Sequence, residues 1–144
     1  MSFKTSFLVF LFSSIILSCS CETQHFYTER EMWYKARDID STIELVGIGN
    51  ADASRRILCK DYGPHCIKRS GRRILVNMVE LIVIGFESEQ AARTEALRIG
   101  QWYGHNWVFD DVANEPVLQD FIIKAFQAKD AKKEWLEIEK SKNN

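Results

Sequence analysis

The chain has little proline and no large excess of charge of either sign. With two prolines, seven glycines and 46% hydrophobic residues in 144 positions, it does not have the composition of a disordered or collagen-like protein. Its 19 basic and 20 acidic residues give a net charge of −1, so the overall charge does not indicate nucleic-acid binding. Any electrostatic recognition must be local. The length fits one small domain that folds without a structural metal.

The motifs of common enzyme and cofactor classes are also missing. The sequence contains no H-E-x-x-H, no G-x-S-x-G and no glycine-rich phosphate loop. Gly47-Ile48-Gly49 lacks the third glycine and the acidic partner of a dinucleotide site. These absences predict a non-enzymatic protein with no cofactor and no metal, and a small exported enzyme is an alternative. Such an enzyme would draw on His65, His105, Asp110, Asp111 and Glu115.

The amino terminus has the layout of an export signal. Lys4 precedes an apolar run of eleven residues from Phe7 to Leu17, and polar sequence follows from Glu22. This run is long enough for a signal-peptide core but too short to cross about 30 Å of hydrocarbon as a helix. Removing residues 1–18 takes away Lys4 and leaves 18 basic and 20 acidic residues, a net charge of −2.

The four residues Ile16-Leu17-Ser18-Cys19 resemble a bacterial lipobox. The resemblance implies a lipoprotein that is cut before Cys19, with a diacylglycerol on the thiol and a fatty acid such as palmitate on the new amino group. Since stable anchoring needs more than one acyl chain, this modification implies firm membrane attachment. Ser20, in place of Asp, implies the outer membrane of the cell envelope under the enteric sorting pattern.

Two other fates of this segment stay open. Cleavage after Ser20 fits the small residues Ser18 and Ser20, and an uncleaved segment would be a weak anchor. The lipobox interpretation divides the chain into a signal peptide at 1–18, a lipidated tether at 19–28 and a single α+β domain at 29–144 with a charged C-terminal helix. It leaves Cys21 in the tether, inert or in an intermolecular disulfide.

Cys59 and Cys66 enclose the residues K-D-Y-G-P-H. In an exported protein, two such cysteines predict a disulfide. Free thiols are one alternative, and a metal or redox site that includes His65 is another. The spacing lacks the close C-x-x-C pair that is typical of zinc and thioredoxin motifs.

Periodicity, capping and turn signals predict the elements of an α+β fold. The order favours a two-layer sandwich with a mostly antiparallel sheet and helices on one face. The expected elements are a helix at 29–37, a strand at 41–49, a helix from Asp52 to Cys59, a hairpin turn at Ser70-Gly71, a strand at 74–86, a helix from Ser88 to Gly104, a strand at 106–112 and a last helix from Pro116 into the charged tail.

The segment 83–100, V-I-G-F-E-S-E-Q-A-A-R-T-E-A-L-R-I-G, resembles half of a SPOR-type peptidoglycan-binding domain. In that family a strand ending near Gly-x-Phe leads into an alanine-rich helix. Here Phe86 follows Gly85 directly, which is one residue short. The resemblance implies a peptidoglycan-binding module as an alternative function.

The basic cluster Lys68, Arg69, Arg72 and Arg73 is the clearest candidate for binding. On the predicted hairpin, Arg69 faces Arg72 and Lys68 faces Arg73, and like charges opposed in this way destabilise a sheet. A bound anion would offset the repulsion, whether a lipid phosphate, lipopolysaccharide or an acidic protein. The alternative is a solvated hairpin tip.

A second cluster is aromatic and surrounds the end of the predicted helix at 88–104. It is either core or a platform for a glycan or protein. Its members are Trp102, Tyr103, His105, Trp107 and Phe109. The features together favour a non-enzymatic, lipid-anchored envelope protein whose partners are the membrane and an envelope protein assembly or peptidoglycan, with no nucleic acid.

Overall fold

A computed structural model describes residues 25–143, so Cys19, Cys21 and the predicted signal peptide lie outside the described residues. Within this range six strands form one antiparallel sheet in the order β1-β2-β3-β5-β4-β6. The predicted α+β class and antiparallel sheet are confirmed. The strands are β1 Glu44–Leu45, β2 Arg72–Val76, β3 Val79–Gly85, β4 Trp102–Gly104, β5 Trp107–Asp110 and β6 Lys129–Asp130, and the α-helices are α1 Glu29–Ile39, α2 Glu89–Ile99, α3 Pro116–Phe126 and α4 Ala131–Lys142.

Helices cover both faces of the sheet, so the prediction of helices on one face is wrong. Along β3, Leu81 and Val83 pack into the core formed with α1 and α3. The alternate residues Ile82 and Ile84 pack into a second core with α2 and the start of α4. The physical reason is visible in β3 itself, because a strand with a continuous apolar run must be covered on both sides.

The helix boundaries follow local capping chemistry. Thr28 and Glu31 form a capping box at α1, and Ser88 accepts a hydrogen bond from the Ala91 N–H at the start of α2. The helix predicted to reach Gly104 ends earlier, because Gly100 adopts a left-handed conformation at φ 69°. Trp102–Gly104 is therefore strand β4.

The predicted last helix is two helices. Pro116 starts α3 as expected, but Gln127 turns left-handed at φ 53° and ends it. The side chain of Asp130 then accepts hydrogen bonds from the N–H groups of Lys132 and Lys133 and caps α4.

The hairpin lies at a different place from the predicted one. The expected strand at 74–86 is two strands, β2 and β3, joined by Asn77 and Met78 at φ 48° and 66°. Positive φ at both central residues is typical of a type I′ turn. Residues 67–71 instead form a bulge that contains a β-turn. Ser70 N–H closes the turn on the Ile67 carbonyl, whereas Cys66 before the bulge pairs with Phe86 and Arg72 after it pairs with Val83.

The segment between α1 and β2 is less regular than predicted. The strand expected at 41–49 is limited to β1, and the helix expected from Asp52 to Cys59 is replaced by short 3-10 turns at Asn50–Arg55 and Cys59–Asp61. These turns contain no buried residue, so no apolar face is present to support a longer helix. No helix within residues 25–143 is long and apolar enough to cross a membrane.

Candidate anion-binding groove

A groove of about 360 Å³ lies beside β1, where the segment 55–58 approaches the bulge at 67–71. We term it the arginine groove. Its apolar wall contains Val46, Ile48, Ile57 and Leu58. Its polar lining contains five arginines and no carboxylate, namely Arg55, Arg56, Arg69, Arg72 and Arg73.

Gly71 and Ser70 position the bulge that carries the arginines. A Cβ atom on Gly71 would lie 2.4 Å from Cγ2 of Ile57, so only glycine lets the two segments approach this closely. The hydroxyl of Ser70 accepts a hydrogen bond from Gly85 N–H at 2.9 Å and donates to the Ile67 carbonyl at 2.7 Å. Ser70 is 5% exposed, so the bond from Gly85 attaches the bulge to the end of β3 in a buried position, and the bond to Ile67 closes the bulge itself.

Arg72 holds the bulge and α1 together. Its Nη1 donates to the carbonyls of Arg69 at 2.6 Å and Gly71 at 2.8 Å, and its Nη2 lies 2.8 Å from Oε1 of Glu29. Arg69 adopts φ 65°, a left-handed conformation that is uncommon for a residue other than glycine. The hydrogen bond from Arg72 to the carbonyl of Arg69 supports this turn.

Arg55 and Arg73 share the carboxylate of Glu80. Nε of Arg73 also donates to the Arg55 carbonyl at 2.8 Å, which fixes the segment 55–58 over β2. Burial alone would raise the pKa of Glu80, but the hydrogen bonds and charges of the two arginines outweigh it and lower the pKa. One carboxylate balances one of the two guanidinium charges, so Arg55, Arg73 and Glu80 together keep a single positive charge.

Arg56 and Arg69 add two guanidinium charges that have no carboxylate partner among the described residues. Arg56 donates to Oδ1 of Asn50 at 3.0 Å, a neutral partner. Arg69 is exposed and has no ion pair among the described residues, and the same holds for its neighbour Lys68. A guanidinium presents paired N–H donors that match a carboxylate or a phosphate.

The structure changes the predicted basic cluster in two ways. Arg69, Arg72 and Arg73 line the groove, whereas Lys68 does not. Because the predicted hairpin is wrong, Arg69 and Arg72 do not face each other across strands. Sequence reasoning missed Arg55 and Arg56, and the adjacent pair in an exposed, irregular segment was the available signal.

A disulfide joins Cys59 and Cys66, with the sulfur atoms 2.07 Å and the Cα atoms 5.5 Å apart. It begins directly after Leu58 of the groove wall, so it restrains the segment that forms that wall. Within residues 25–143, no three His, Cys, Asp or Glu side chains lie together as a metal-binding group. Nδ1 of His65 instead lies 2.9 Å from Oε2 of Glu87.

Two of the residues named as candidates for hydrolytic chemistry, Asp110 and His105, have different partners. Asp110 accepts a hydrogen bond from the Tyr62 hydroxyl at 2.9 Å, whereas the ring of His105 packs edge-on against Tyr27 at 4.6 Å. Burial lowers the pKa of His105, and burial together with the charge of Asp110 raises the pKa of Asp111. Glu115 precedes α3 as its N-cap residue, without a capping side-chain bond.

The aromatic cluster around the β4–β5 turn is mainly core. Tyr103 and Trp107 are each 2% exposed and Phe109 is fully buried, so these three do not form an open platform. Trp102 is half-buried and packs against the core of α1 and α3.

The segment that resembles half of a SPOR domain spans the end of β3 and all of α2. Ala92 and Ala96 on this helix are fully buried against the sheet. The peptidoglycan-binding interpretation stays a prediction.

Comparison of the chain with protein-family models, with curated proteins and with solved structures gave no match.

Proposed function

We propose that the chain is a non-enzymatic, lipid-anchored protein of the cell envelope, attached to the outer membrane through Cys19, and that its arginine groove binds an acidic surface of an envelope protein. One observation carries the proposal. Five arginines meet in one groove of a chain whose net charge is −1. Such a local concentration of positive charge suits recognition of an acidic partner.

The mixed character of the groove supports a protein partner. Val46, Ile48 and Leu58 line it beside the guanidinium groups, and Leu58 is 42% exposed. Protein interfaces combine apolar contact with arginine, which is enriched among their energetically dominant residues. A lipid headgroup would need the charge but not the apolar wall.

The attachment point of the tether supports a membrane-proximal role. Asn106 and Trp107 bind the backbone of Tyr27, so the described chain is held to the domain from this residue onward. An extended chain spans about 3.5 Å per residue, and Tyr27 follows Cys19 by eight residues. The stretch between them therefore spans at most about 28 Å. A lipid on Cys19 would keep the domain within that distance of the bilayer.

The test is crosslinking followed by affinity capture from native membranes. We expect the wild-type chain to capture one acidic envelope protein. The double variant Arg56→Gln/Arg69→Gln should capture about one-tenth of that amount, because it lacks two charged contacts. Lys132→Gln with Lys140→Gln on α4 is the matched control and keeps the capture. Equal capture by both double variants contradicts the proposal.

The anchor is tested in the same cells. Replacing Cys19 by Ser should release the protein from the membrane fraction and abolish labelling with palmitate. A Cys19→Ser protein that stays equally membrane-bound contradicts the lipoprotein assignment. Sedimentation with purified sacculi tests the peptidoglycan alternative, and retention there that does not depend on the arginines favours it.

A further inference from the structure

β1 is an edge strand whose outer side is free of other strands among the described residues. The sheet order begins with β1, which pairs only with β2. Val46 N–H donates to the Arg73 carbonyl at 2.9 Å, so the ladder continues one residue past Leu45. In an antiparallel ladder, alternate residues direct both backbone groups to the same neighbour. The N–H and C=O groups of Leu45 and Gly47 therefore point outward from the sheet.

The residues of this edge are exposed to solvent. Both residues of β1 are exposed, Leu45 at 55%, and Gly47 after them is exposed as well. An open edge with outward backbone groups is a template for another strand.

Clefts lie on both faces of the sheet beside this edge. Val46 and Ile48 line the arginine groove on one face. On the other face, Leu45 lines a cleft of about 340 Å³ together with Met32 and Trp33, which we term the Trp33 cleft. Arg72 borders both. Successive side chains of a strand point to opposite faces, so a strand added at this edge would direct alternate side chains to the two clefts.

We propose that an extended segment of the acidic partner adds to the outer edge of β1 as an antiparallel strand. Its acidic side chains contact Arg56 and Arg69 in the arginine groove, and its alternate apolar side chains enter the Trp33 cleft. This inference rests on the proposed function and specifies the form of the bound partner. Main-chain hydrogen bonds supply affinity in this mode, and the alternate clefts supply specificity.

The register of the added strand follows from the backbone N–H and C=O groups of Leu45 and Gly47, which point outward from the sheet. The partner residue opposite Leu45 exchanges both backbone hydrogen bonds with it, and its side chain lies on the same face as Leu45. That residue is therefore one of the apolar ones. The amide groups of the partner's acidic residues point away from β1.

The test uses the full chain in detergent and synthetic peptides of alternating Glu and Val, about eight residues long. Amide hydrogen exchange of the chain is followed by NMR. We expect the Glu-Val peptide to slow exchange at Leu45 and Gly47 by about tenfold or more, because both amides gain hydrogen bonds. The Val46 amide is already bonded to Arg73 and should not change. A Lys-Val peptide should have no effect.

Two methylated peptides separate strand addition from charge recognition. N-methylation of the Val residues removes the donors that would reach β1 and should abolish binding, whereas N-methylation of the Glu residues should preserve it. In the chain, Gly47→Pro should weaken binding, and Gly49→Pro is the matched control because Gly49 already has φ −69°.

Any of four results overturns the inference. Binding without slowed exchange at Leu45 and Gly47 means that charge alone is recognised, which leaves the proposed function intact. Failure of the Glu-Val peptide to bind, while the arginine-dependent capture persists, means that the groove recognises a folded acidic surface and not an extended strand, which also leaves the proposed function intact. Slow exchange at both amides in the free chain that is lost on dilution means that the edge pairs with a second copy. Loss of the arginine-dependent capture itself removes the proposed function as well.

Discussion

The side chain of Asn106 holds the backbone of Tyr27 at both of its polar groups. Tyr27 N–H donates to Oδ1 at 2.7 Å, and Nδ2 donates to the Tyr27 carbonyl at 3.1 Å, while Trp107 Nε1 donates to the same carbonyl at 2.9 Å. Asn106 is 1% exposed, so its amide has exchanged water for these partners and for the Phe86 carbonyl. The end of the predicted tether is thereby attached to the β4–β5 turn.

Asn106→Ala should destabilise the domain by about 2–3 kcal/mol, because the Tyr27 N–H and the buried Phe86 carbonyl lose the amide as their partner. Urea unfolding measures the loss, and hydrogen exchange at Tyr27 should accelerate. Asn114→Ala, at an exposed position, is the control and should change stability by less than about 0.5 kcal/mol. A stable Asn106→Ala protein with a protected Tyr27 amide would contradict the attachment.

Ser70→Ala should cost about 1–2 kcal/mol, since the buried Gly85 N–H loses the hydroxyl that accepts its hydrogen bond, whereas the Ile67 carbonyl keeps the Ser70 N–H. Because Ser70 fixes the bulge that carries Arg69, partner binding should weaken as well. Chemical denaturation and the capture assay measure the two effects, with exposed Ser54→Ala as control. If binding is unchanged while stability falls, the bulge geometry does not matter for the groove.

Glu80→Gln should make the stability of the protein less dependent on acid pH. The pKa of Glu80 is lowered in the folded state, so its contribution is present above the ordinary value of 4.5 and is lost as pH falls through the lower folded pKa. The variant should be less stable than wild type by about 1–2 kcal/mol at pH 7. The difference should shrink below pH 4.5.

Denaturant unfolding across this pH range measures the effect, and Glu137→Gln is the control because Glu137 is exposed on α4. A stability difference that stays constant with pH would show that the negative charge of Glu80 does not contribute to the free energy of unfolding.

Replacing Cys59 and Cys66 by Ser should reduce stability by about 2–3 kcal/mol, as expected for opening a loop of this length. The segment 55–58 should be the first to lose protection against amide hydrogen exchange, because Leu58 is next to Cys59 of the disulfide. Reducing agent should have the same effect on wild type and none on the double variant. Equal stability of the oxidised and reduced chains would exclude a structural role.

The predicted starts of α2 and α3 were accurate because capping is local, whereas the helix predicted to start at Asp52 did not form. Ser88 precedes an alanine-rich helix and accepts the expected hydrogen bond, and Pro116 stands at the first turn of α3. Helix ends were less accurate. Gly104 was predicted to end α2, but Gly100 ends it, and the pairing of β4 with β5 takes up Trp102–Gly104.

The hairpin was misplaced because the usual glycine signal was absent. Asn77 and Met78 both take positive φ, but methionine is not typical of that position, and Met78 is 87% exposed at the tip. Ser70-Gly71 carried the glycine that is typical of a two-residue hairpin turn. Gly71 is needed there for close contact with Ile57, not for a turn.

The candidate groove could be predicted only in part. The pattern at 68–73 indicated a basic cluster, and three of its four members line the groove. Arg55 and Arg56 join it through the approach of Ile57 to Gly71 and through the Arg73 hydrogen bond to the Arg55 carbonyl. These contacts are tertiary, and no local spacing encodes them.

The most direct test of the central claim is site-specific photo-crosslinking in living cells. A photoreactive amino acid replaces Leu58 in the wall of the arginine groove, and a second protein carries it at Leu136, which is 43% exposed on α4. We predict one discrete adduct with an acidic envelope protein at position 58, its loss when Arg56 and Arg69 are changed to Gln, and no such adduct at position 136. An absent adduct at position 58, or the same adduct at both positions, would contradict the account.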